Sequence, residues 1–237
     1  MTTGIRMTVP RILLLLLLLL GVGCRAAPGA DARRGGTEGT AVAAPHDWVI
    51  VPGERIGPVS ATRAETALVA LVGERRLARR EIYLAEGFCT DGSILYPDTP
   101  DALEIAWSDS ARTIPAYFRI RGAGSRWATA SGVHVGSTVA EMEAIGGEPL
   151  SLSGFGWDYG GGSSWSEPGQ TAGIGLQLSP DSASWERARA DPLYGSILGD
   201  RTLRSDHPLL RRLNIVVETI SLSLAPLLDE HECRGGG

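Results

Sequence analysis

The 237-residue chain contains no lysine, so arginine supplies all 22 of its basic residues. The absence of lysine excludes a phosphate-loop lysine, a Schiff-base lysine and a Ser–Lys dyad, because each needs a primary amine. The formal net charge is −5, and no basic stripe follows residue 23. Nucleic acid is therefore not expected as a partner.

The sequence also lacks the motifs of common metal, nucleotide and hydrolase sites. It has no H-E-x-x-H, no C-x-x-C and no EF-hand loop, which are frequent sources of metal ligands. It has no G-x-S-x-G elbow and no G-x-G-x-x-G segment between a strand and a helix. We therefore expect neither a metal nor a cofactor.

Long apolar runs are absent except for one near the N-terminus. Residues 12–22 form an apolar run that is shorter than the roughly 20 residues needed to span a bilayer. Arg6 and Arg11 precede this run, and small residues followed by Cys24 come after it. This order is typical of a secretory signal peptide and predicts one over residues 1–23.

The residues around Cys24 resemble the lipobox of bacterial lipoproteins, in which the cysteine is diacylated after cleavage. The resemblance implies export and contact with a membrane through a diacylglyceryl group on Cys24; plain secretion is the alternative. Arg25 replaces the aspartate of the familiar inner-membrane retention signal, which indicates the outer membrane, facing the periplasm, if the host has one. Residues 24–46 are rich in Ala, Gly and Pro and predict a flexible tether.

Cysteine is scarce, with only three residues in the chain. A lipid on Cys24 would leave Cys89 and Cys233, an even pair in an oxidising compartment. The pair could form a disulfide; alternatively, Cys89 is buried and Cys233 is free. Residues 227–237 are predicted to be a loose tail unless Cys233 holds them.

Two capping-box patterns indicate an internal duplication. Thr62 with Glu65, and Thr138 with Glu141, each place a hydroxyl and a carboxylate three residues apart before a short apolar helix. A Gly-Glu dipeptide ends both predicted helices, and glycine suits the left-handed conformation at a helix C-terminus. The pattern predicts two similar units, repeat 1 over residues 47–129 and repeat 2 over residues 130–226.

Each predicted helix is followed by segments with the composition of β-strands. The predicted strands are residues 80–88, 102–107 and 116–121 in repeat 1, and residues 150–159, 173–178 and 214–224 in repeat 2. Residues 179–213 form an insertion between the last two strands. The predicted fold class is α+β, with two tandem units of one helix plus an antiparallel meander.

This arrangement resembles two known families. Residues 51–58, the Thr62 and Glu65 pattern and the Gly-Glu stop are similar to SmpA/OmlA-type outer-membrane lipoproteins. They are also similar to the tandem-repeat fold of β-lactamase inhibitory protein, and residues 154–160 and 205–208 resemble parts of uncharacterised secreted bacterial proteins. The resemblance implies helices packed on one face of a sheet and binding to proteins at the envelope; it implies no catalytic residue.

The most distinctive segment for function is the aromatic and glycine-rich run over residues 154–162. In an extended strand, Phe155, Trp157 and Tyr159 would share one face, with Trp165 just beyond a glycine turn. Exposed, these rings would form a binding surface; alternatively, they face the core. The predicted binding residues are Phe155, Trp157, Tyr159 and Trp165, with Arg119 and Arg121 on a neighbouring strand.

The sequence therefore favours a non-enzymatic, lipid-anchored envelope protein that binds another protein or a cell-wall component. The alternative is an envelope hydrolase of unrecognised type that uses His207. Such an enzyme would require His207 to lie in a cleft within hydrogen-bonding distance of a Ser, Asp or Glu from another segment. Ser205 and Asp206 precede His207, but residues adjacent in sequence cannot form the geometry of a triad.

Overall fold

The computed structural model describes residues 47–234 of the chain. The predicted signal peptide, Cys24 and the predicted tether up to residue 46 lie outside the described residues. Within residues 47–234, no helix has both the length and the apolar character needed to cross a membrane.

The described residues form short helices and many strands. The α-helices are α1 Glu65–Val72, α2 Val139–Gly146 and α3 Ser182–Arg189, and the 3₁₀ turns are Glu74–Arg76, Tyr194–Ile197 and Leu210–Arg212. The strands before α2 are β1 Val49–Val51, β2 Arg55–Ile56, β3 Val59–Ser60, β4 Leu77–Tyr83, β5 Phe88–Leu95, β6 Leu103–Trp107, β7 Pro115–Ile120 and β8 Ala128–Thr129. The later strands are β9 Ser151–Ser153, β10 Gly162–Ser166, β11 Gly173–Pro180, β12 Thr202–Arg204, β13 Ile215–Ser223 and β14 His231–Glu232.

One large sheet organises the molecule. Its strand order is β12-β9-β10-β11-β13-β7-β6-β5-β14, and β4 pairs with β5. At its centre β7 and β13 run antiparallel, with Ile120 opposite Ile220 and Phe118 opposite Leu222. A smaller sheet has the order β3-β2-β1-β8. The α+β prediction is confirmed, although strands dominate over helices.

The core lies against one face of the large sheet. In β7 and β13 the buried residues Phe118, Ile120, Ile220 and Leu222 project to this face, as the alternation of side chains along a strand requires. They belong to the same buried apolar cluster as Leu68 and Val72 of α1 and Val139 and Met142 of α2. The other face carries Tyr117, Arg119 and the polar residues of the neighbouring strands.

The two predicted capping boxes have different outcomes. The second is confirmed, because Glu141 N–H donates to Thr138 Oγ1 at 3.1 Å and Thr138 N–H donates to Glu141 Oε2 at 2.8 Å. The first is wrong: α1 begins after Ala64 without a side-chain cap, and Glu65 is buried. Arg79 and Ser93 bind the Glu65 carboxylate, so it cannot cap the helix.

Two predicted strands are interrupted by turns. Predicted strand 80–88 is divided between β4 and β5 by a turn in which Glu86 and Gly87 have φ values of 52° and 85°. Predicted strand 150–159 ends at Ser153 because the chain turns at Gly156, where φ is 87°. The predicted insertion contains α3 and β12, and β12 pairs with β9 at the edge of the sheet.

The C-terminal segment is attached to the sheet. Cys89 and Cys233 form a disulfide, and His231 pairs with Cys89 in the β14–β5 ladder. Arg234 forms an ion pair with Asp91 at 2.9 Å. The segment is therefore attached to the sheet as far as Arg234. A free Cys233 would instead have left it as the predicted loose tail.

Candidate functional site

The four aromatic residues predicted as one binding surface separate into two groups. Phe155 and Trp165 are 2% and 4% exposed, whereas Trp157 and Tyr159 are 39% and 48% exposed. The prediction is wrong for Phe155 because the turn at Gly156 ends the extended conformation that would place alternate residues on one face. It is wrong for Trp165 because this residue occupies a buried position of β10 and belongs to the core cluster. The Phe155 ring packs edge-on against Trp185, with centroids 5.3 Å apart.

Trp157 and Tyr159 lie in a loop between β9 and β10 that several hydrogen bonds fix. The Trp157 indole donates to the Gly154 carbonyl at 2.8 Å, and its ring centroid is 5.3 Å from that of Tyr159. The side-chain amide of Gln177 donates to the Gly160 carbonyl. The exposed rings are thus presented by an ordered loop, which lowers the entropy cost of binding.

The second face of the large sheet, which we call the open face, carries a groove of about 420 Å³. Its floor is formed by three neighbouring strands, β7, β13 and β11. The floor residues are Tyr117 and Arg119 of β7, Arg121 directly after β7, Thr219 and Ser221 of β13, and Gly175 and Gln177 of β11. One wall is formed by residues 83–85 of the β4–β5 hairpin, and the other by Asp158 and Tyr159. Among the described residues, no helix contributes to the lining.

Two small residues, Gly175 and Ser221, form part of the groove floor. Gly175 lies opposite Ser221, and a Cβ atom on Gly175 would be 2.5 Å from Ser221 Oγ. Larger side chains, including Tyr117 and Gln177, surround this point. The groove can therefore admit a side chain from a ligand.

The two predicted arginines occupy this groove but differ in availability. Arg119 is 5% exposed; its Nε donates to Glu104 at 2.6 Å, and its Nη2 donates to the Tyr83 carbonyl. It therefore fastens the β4–β5 hairpin to the sheet, and its prediction as a free binding residue is wrong. Arg121 is exposed and makes no hydrogen bond or ion pair with any residue between 47 and 234.

Two further exposed aromatic residues were missed in the sequence. Tyr83 and Phe88 are 49% and 44% exposed and flank the β4–β5 turn. They were placed inside one continuous strand, although Gly87 marked a turn between them. The hairpin reaches the loop after β9, because Tyr159 Oη donates to Glu86 Oε1 at 3.3 Å. The negative charge of Glu86, followed by burial, raises the pKa of Tyr159.

The contacts of His207 favour a structural role over acid–base catalysis. Leu209 N–H donates to His207 Nδ1 at 3.2 Å, so the proton of the neutral ring lies on Nε2. Nε2 is 3.1 Å from Ser196 Oγ, and that hydroxyl itself donates to the Leu193 carbonyl at 2.6 Å. His207 therefore donates to Ser196, whereas a general base would accept its proton. Ser196 comes from another segment and lies within the hydrogen-bonding distance that the hydrolase alternative requires, but the direction of this hydrogen bond is opposite to the one that a general base needs.

Ser205 is also committed to structural contacts. Its Oγ accepts the Leu150 N–H at 2.8 Å and donates to Glu143. Within the part of the chain that the structure describes, no group of three or more His, Cys, Asp or Glu residues could hold a metal ion.

Comparison of the chain with protein-family models, with curated proteins and with solved structures finds no match.

Proposed function

We propose that this chain is a non-enzymatic, lipid-anchored envelope protein that binds a partner protein on its open face. Cys24 carries the diacylglyceryl anchor after removal of residues 1–23, and residues 24–46 hold the folded domain away from the membrane. The single observation that carries the binding function is the groove lined by Tyr159 and Arg121, with the exposed Trp157 ring packed against Tyr159 and with no ion pair from Arg121 to any residue between 47 and 234.

The domain consists, in this proposal, of two tandem repeats with their helices on the core side of the sheet. The strand order supports this arrangement. From the central pair outwards, one half runs β7, β6, β5 and β4, and the other runs β13, β11, β10 and β9. In each half, one helix precedes its strands in the sequence. Helices on the core side leave the opposite face free for a partner.

The composition of the open face suits a protein partner. Tyr, Trp and Arg are the residue types that dominate protein-binding hot spots. Trp157, Tyr159, Tyr83 and Arg121 are of these types and lie in or beside the groove. The floor strands β7, β13 and β11 each have a neighbour on both sides, so a partner cannot extend the sheet there. Binding must use side chains that enter the groove from above.

Photo-crosslinking in intact cells tests the proposal. A benzoylphenylalanine in place of Trp157 should give a discrete crosslinked protein, because the partner covers this position. The same substitution at Leu193 should not, although Leu193 is also 39% exposed. Arg121→Glu should reduce the crosslink at position 157 at least about fivefold, the effect of losing one interfacial contact of about 1 kcal/mol.

Two controls keep the outcome interpretable. The circular dichroism of each variant should match that of the native protein, since Trp157 and Arg121 are exposed. The melting temperature should be unchanged for Arg121→Glu and should fall by no more than about 2 to 4 °C at position 157, where the indole hydrogen bond to the Gly154 carbonyl is lost. Cys24→Ser should move the protein from the membrane pellet to the soluble fraction. Equal crosslinking at positions 157 and 193 would refute binding at the open face, and membrane retention of Cys24→Ser would refute the anchor.

A further inference from the structure

A second depression of about 410 Å³ adjoins the groove on the side of the β4–β5 hairpin. The aromatic residues Phe88, Tyr117 and Tyr159 line it together with Glu86 and Glu230, and Leu84, Ala85 and Leu227 complete the lining. We call Phe88, Tyr117, Tyr159, Glu86 and Glu230 the aromatic cage. Tyr117 and Tyr159 also line the groove, so the two depressions share a boundary.

Within residues 47–234, no ion pair neutralises the two carboxylates of the cage. Glu86 and Glu230 are both exposed. The Arg119 guanidinium is 5.9 Å from the centroid of the Tyr117 ring and is already paired with Glu104. The negative potential at this position also raises the pKa of Tyr159, mainly through the charge of Glu86.

Ring faces and carboxylates attract the same kind of ligand. The face of an aromatic ring carries the negative part of its quadrupole and attracts a cation within about 6 Å of its centroid. A carboxylate at the rim adds a direct charge–charge contact and can accept hydrogen bonds. An anion would be repelled by both, and a neutral apolar group would gain nothing from Glu86 and Glu230.

We propose that the aromatic cage accepts the cationic side chain of an arginine or lysine from the partner protein. This inference rests on the proposed function, because the cage is continuous with the groove through Tyr117 and Tyr159. The partner therefore presents a basic residue to the cage while neighbouring residues of the same loop enter the groove. The aromatic pair of Trp157 and Tyr159 packs beside it.

Nuclear magnetic resonance titration of the mature chain tests the cage directly. The probes are the methylamides of Nα-acetylarginine and of Nα-acetylcitrulline, which have nearly the same shape but differ in charge. The arginine probe should shift the resonances of Phe88, Glu86 and Tyr159 along a saturable curve. Its dissociation constant should be at least about fivefold lower than that of the citrulline probe, as expected for a cation–π contact supported by carboxylates. The lysine analogue should shift the same resonances.

Matched variants separate the roles of the rings and the charges. Tyr159→Phe keeps a ring and should retain binding within about twofold, whereas Tyr159→Leu should weaken it about two- to fivefold. The double change Glu86→Gln and Glu230→Gln should reduce the preference for arginine over citrulline. Glu186→Gln, an exposed change on α3, should leave the preference unaltered. Unchanged spectra outside the cage establish that each variant is folded.

The inference is overturned if arginine and citrulline probes bind equally, or if the shifts map to residues outside the cage. Binding of tetramethylammonium without binding of the arginine and lysine probes would also overturn it, because the cage would then suit a lipid headgroup. None of these results would affect crosslinking at position 157. If the cage binds no cationic probe while the crosslink at position 157 persists, this inference is rejected and the proposed function remains supported.

Discussion

Glu65 is a buried carboxylate whose negative charge is paired with the positive charge of a neighbouring arginine. It is 4% exposed; Arg79 donates to its Oε2 at 2.6 Å and Ser93 Oγ donates to its Oε1 at 2.6 Å. The Trp107 indole donates to the same Ser93 hydroxyl at 3.0 Å. Burial alone would raise the pKa of Glu65, but the hydrogen bonds from Arg79 and Ser93 and the charges of Arg79 and Arg112 hold it below its ordinary value. This network joins α1 to three strands.

The depressed pKa of Glu65 predicts a loss of stability in acid. Glu65 contributes stability that is fully present above its unfolded pKa, close to the ordinary value of 4.5, and is lost as the pH falls through the lower folded pKa. Glu65→Gln should therefore lower the free energy of unfolding at pH 7 by about 1 to 3 kcal/mol, because charged hydrogen bonds are lost. The difference between variant and native protein should shrink below pH 4.5. Urea unfolding across this range measures it.

Glu186→Gln on the surface of α3 is the matched control and should leave the free energy of unfolding unchanged at every pH. A deficit for Glu65→Gln that stays constant from pH 7 into acid would contradict the prediction. Glu65 also shows a limit of sequence reasoning. Its spacing from Thr62 predicted a capping box, but Arg79, Ser93 and Arg112 reach it only in the folded structure.

At the scale of elements, α1 and α2 have the same length but begin differently. Thr138 caps α2 through a complete capping box, whereas the Thr62 side chain caps nothing at the start of α1. Thr138→Ala should therefore lower the free energy of unfolding by about 1 kcal/mol. Thr62→Ala should change it by less than about 0.5 kcal/mol, the range of an ordinary surface change. Thermal and urea unfolding of both variants measure the difference.

Equal effects of the two alanine changes would show that Thr138 contributes no more than an exposed residue does. A loss confined to Thr62→Ala would show that α1 is capped in solution by the original capping-box pattern. Both results would contradict the helix starts described above.

Strands with regular alternation were predictable from the sequence, and irregular segments were not. The prediction for residues 102–107 matches β6 Leu103–Trp107, and that for residues 214–224 matches β13 Ile215–Ser223. β12 was missed because three residues carry little pattern and its register is set by β9. The loop that presents Trp157 and Tyr159 was read as a strand. Its conformation depends on Gly156 and on contacts with residues distant in sequence, such as Phe155 N–H to the Ile197 carbonyl at 2.8 Å.

The candidate site was predicted only in part for the same reason. Tyr159 and Arg121 meet in one groove, although 38 positions separate them in the sequence. The residue types indicated a binding surface, but alternation could not decide which rings are buried. Phe155 and Trp165 fill the core and Arg119 supports the hairpin, so the set of predicted residues that is exposed at the groove is smaller than the predicted set.

At the scale of the whole molecule, the central pair β7 and β13 makes one core out of the two halves. Ile220 is fully buried and lies opposite Ile120, and both belong to the single apolar cluster that includes residues from α1 and α2. A shared core couples the halves energetically, because neither can lose its strand without exposing apolar surface of the other. Two halves joined in this way should unfold as one cooperative unit.

Ile220→Ala tests this coupling. The change should cost about 2 to 4 kcal/mol, because it leaves a cavity at the junction. Fluorine-labelled Trp127, in residues 47–129, and Trp165, in residues 130–226, report on the two halves, and both rings are buried. Their urea midpoints should coincide in the native protein and should fall together in the variant. Separate midpoints, or a shift at Trp165 alone, would mean that each half is stable independently. The groove could then open between β7 and β13, and Arg121 and Thr219 would no longer form one rigid floor.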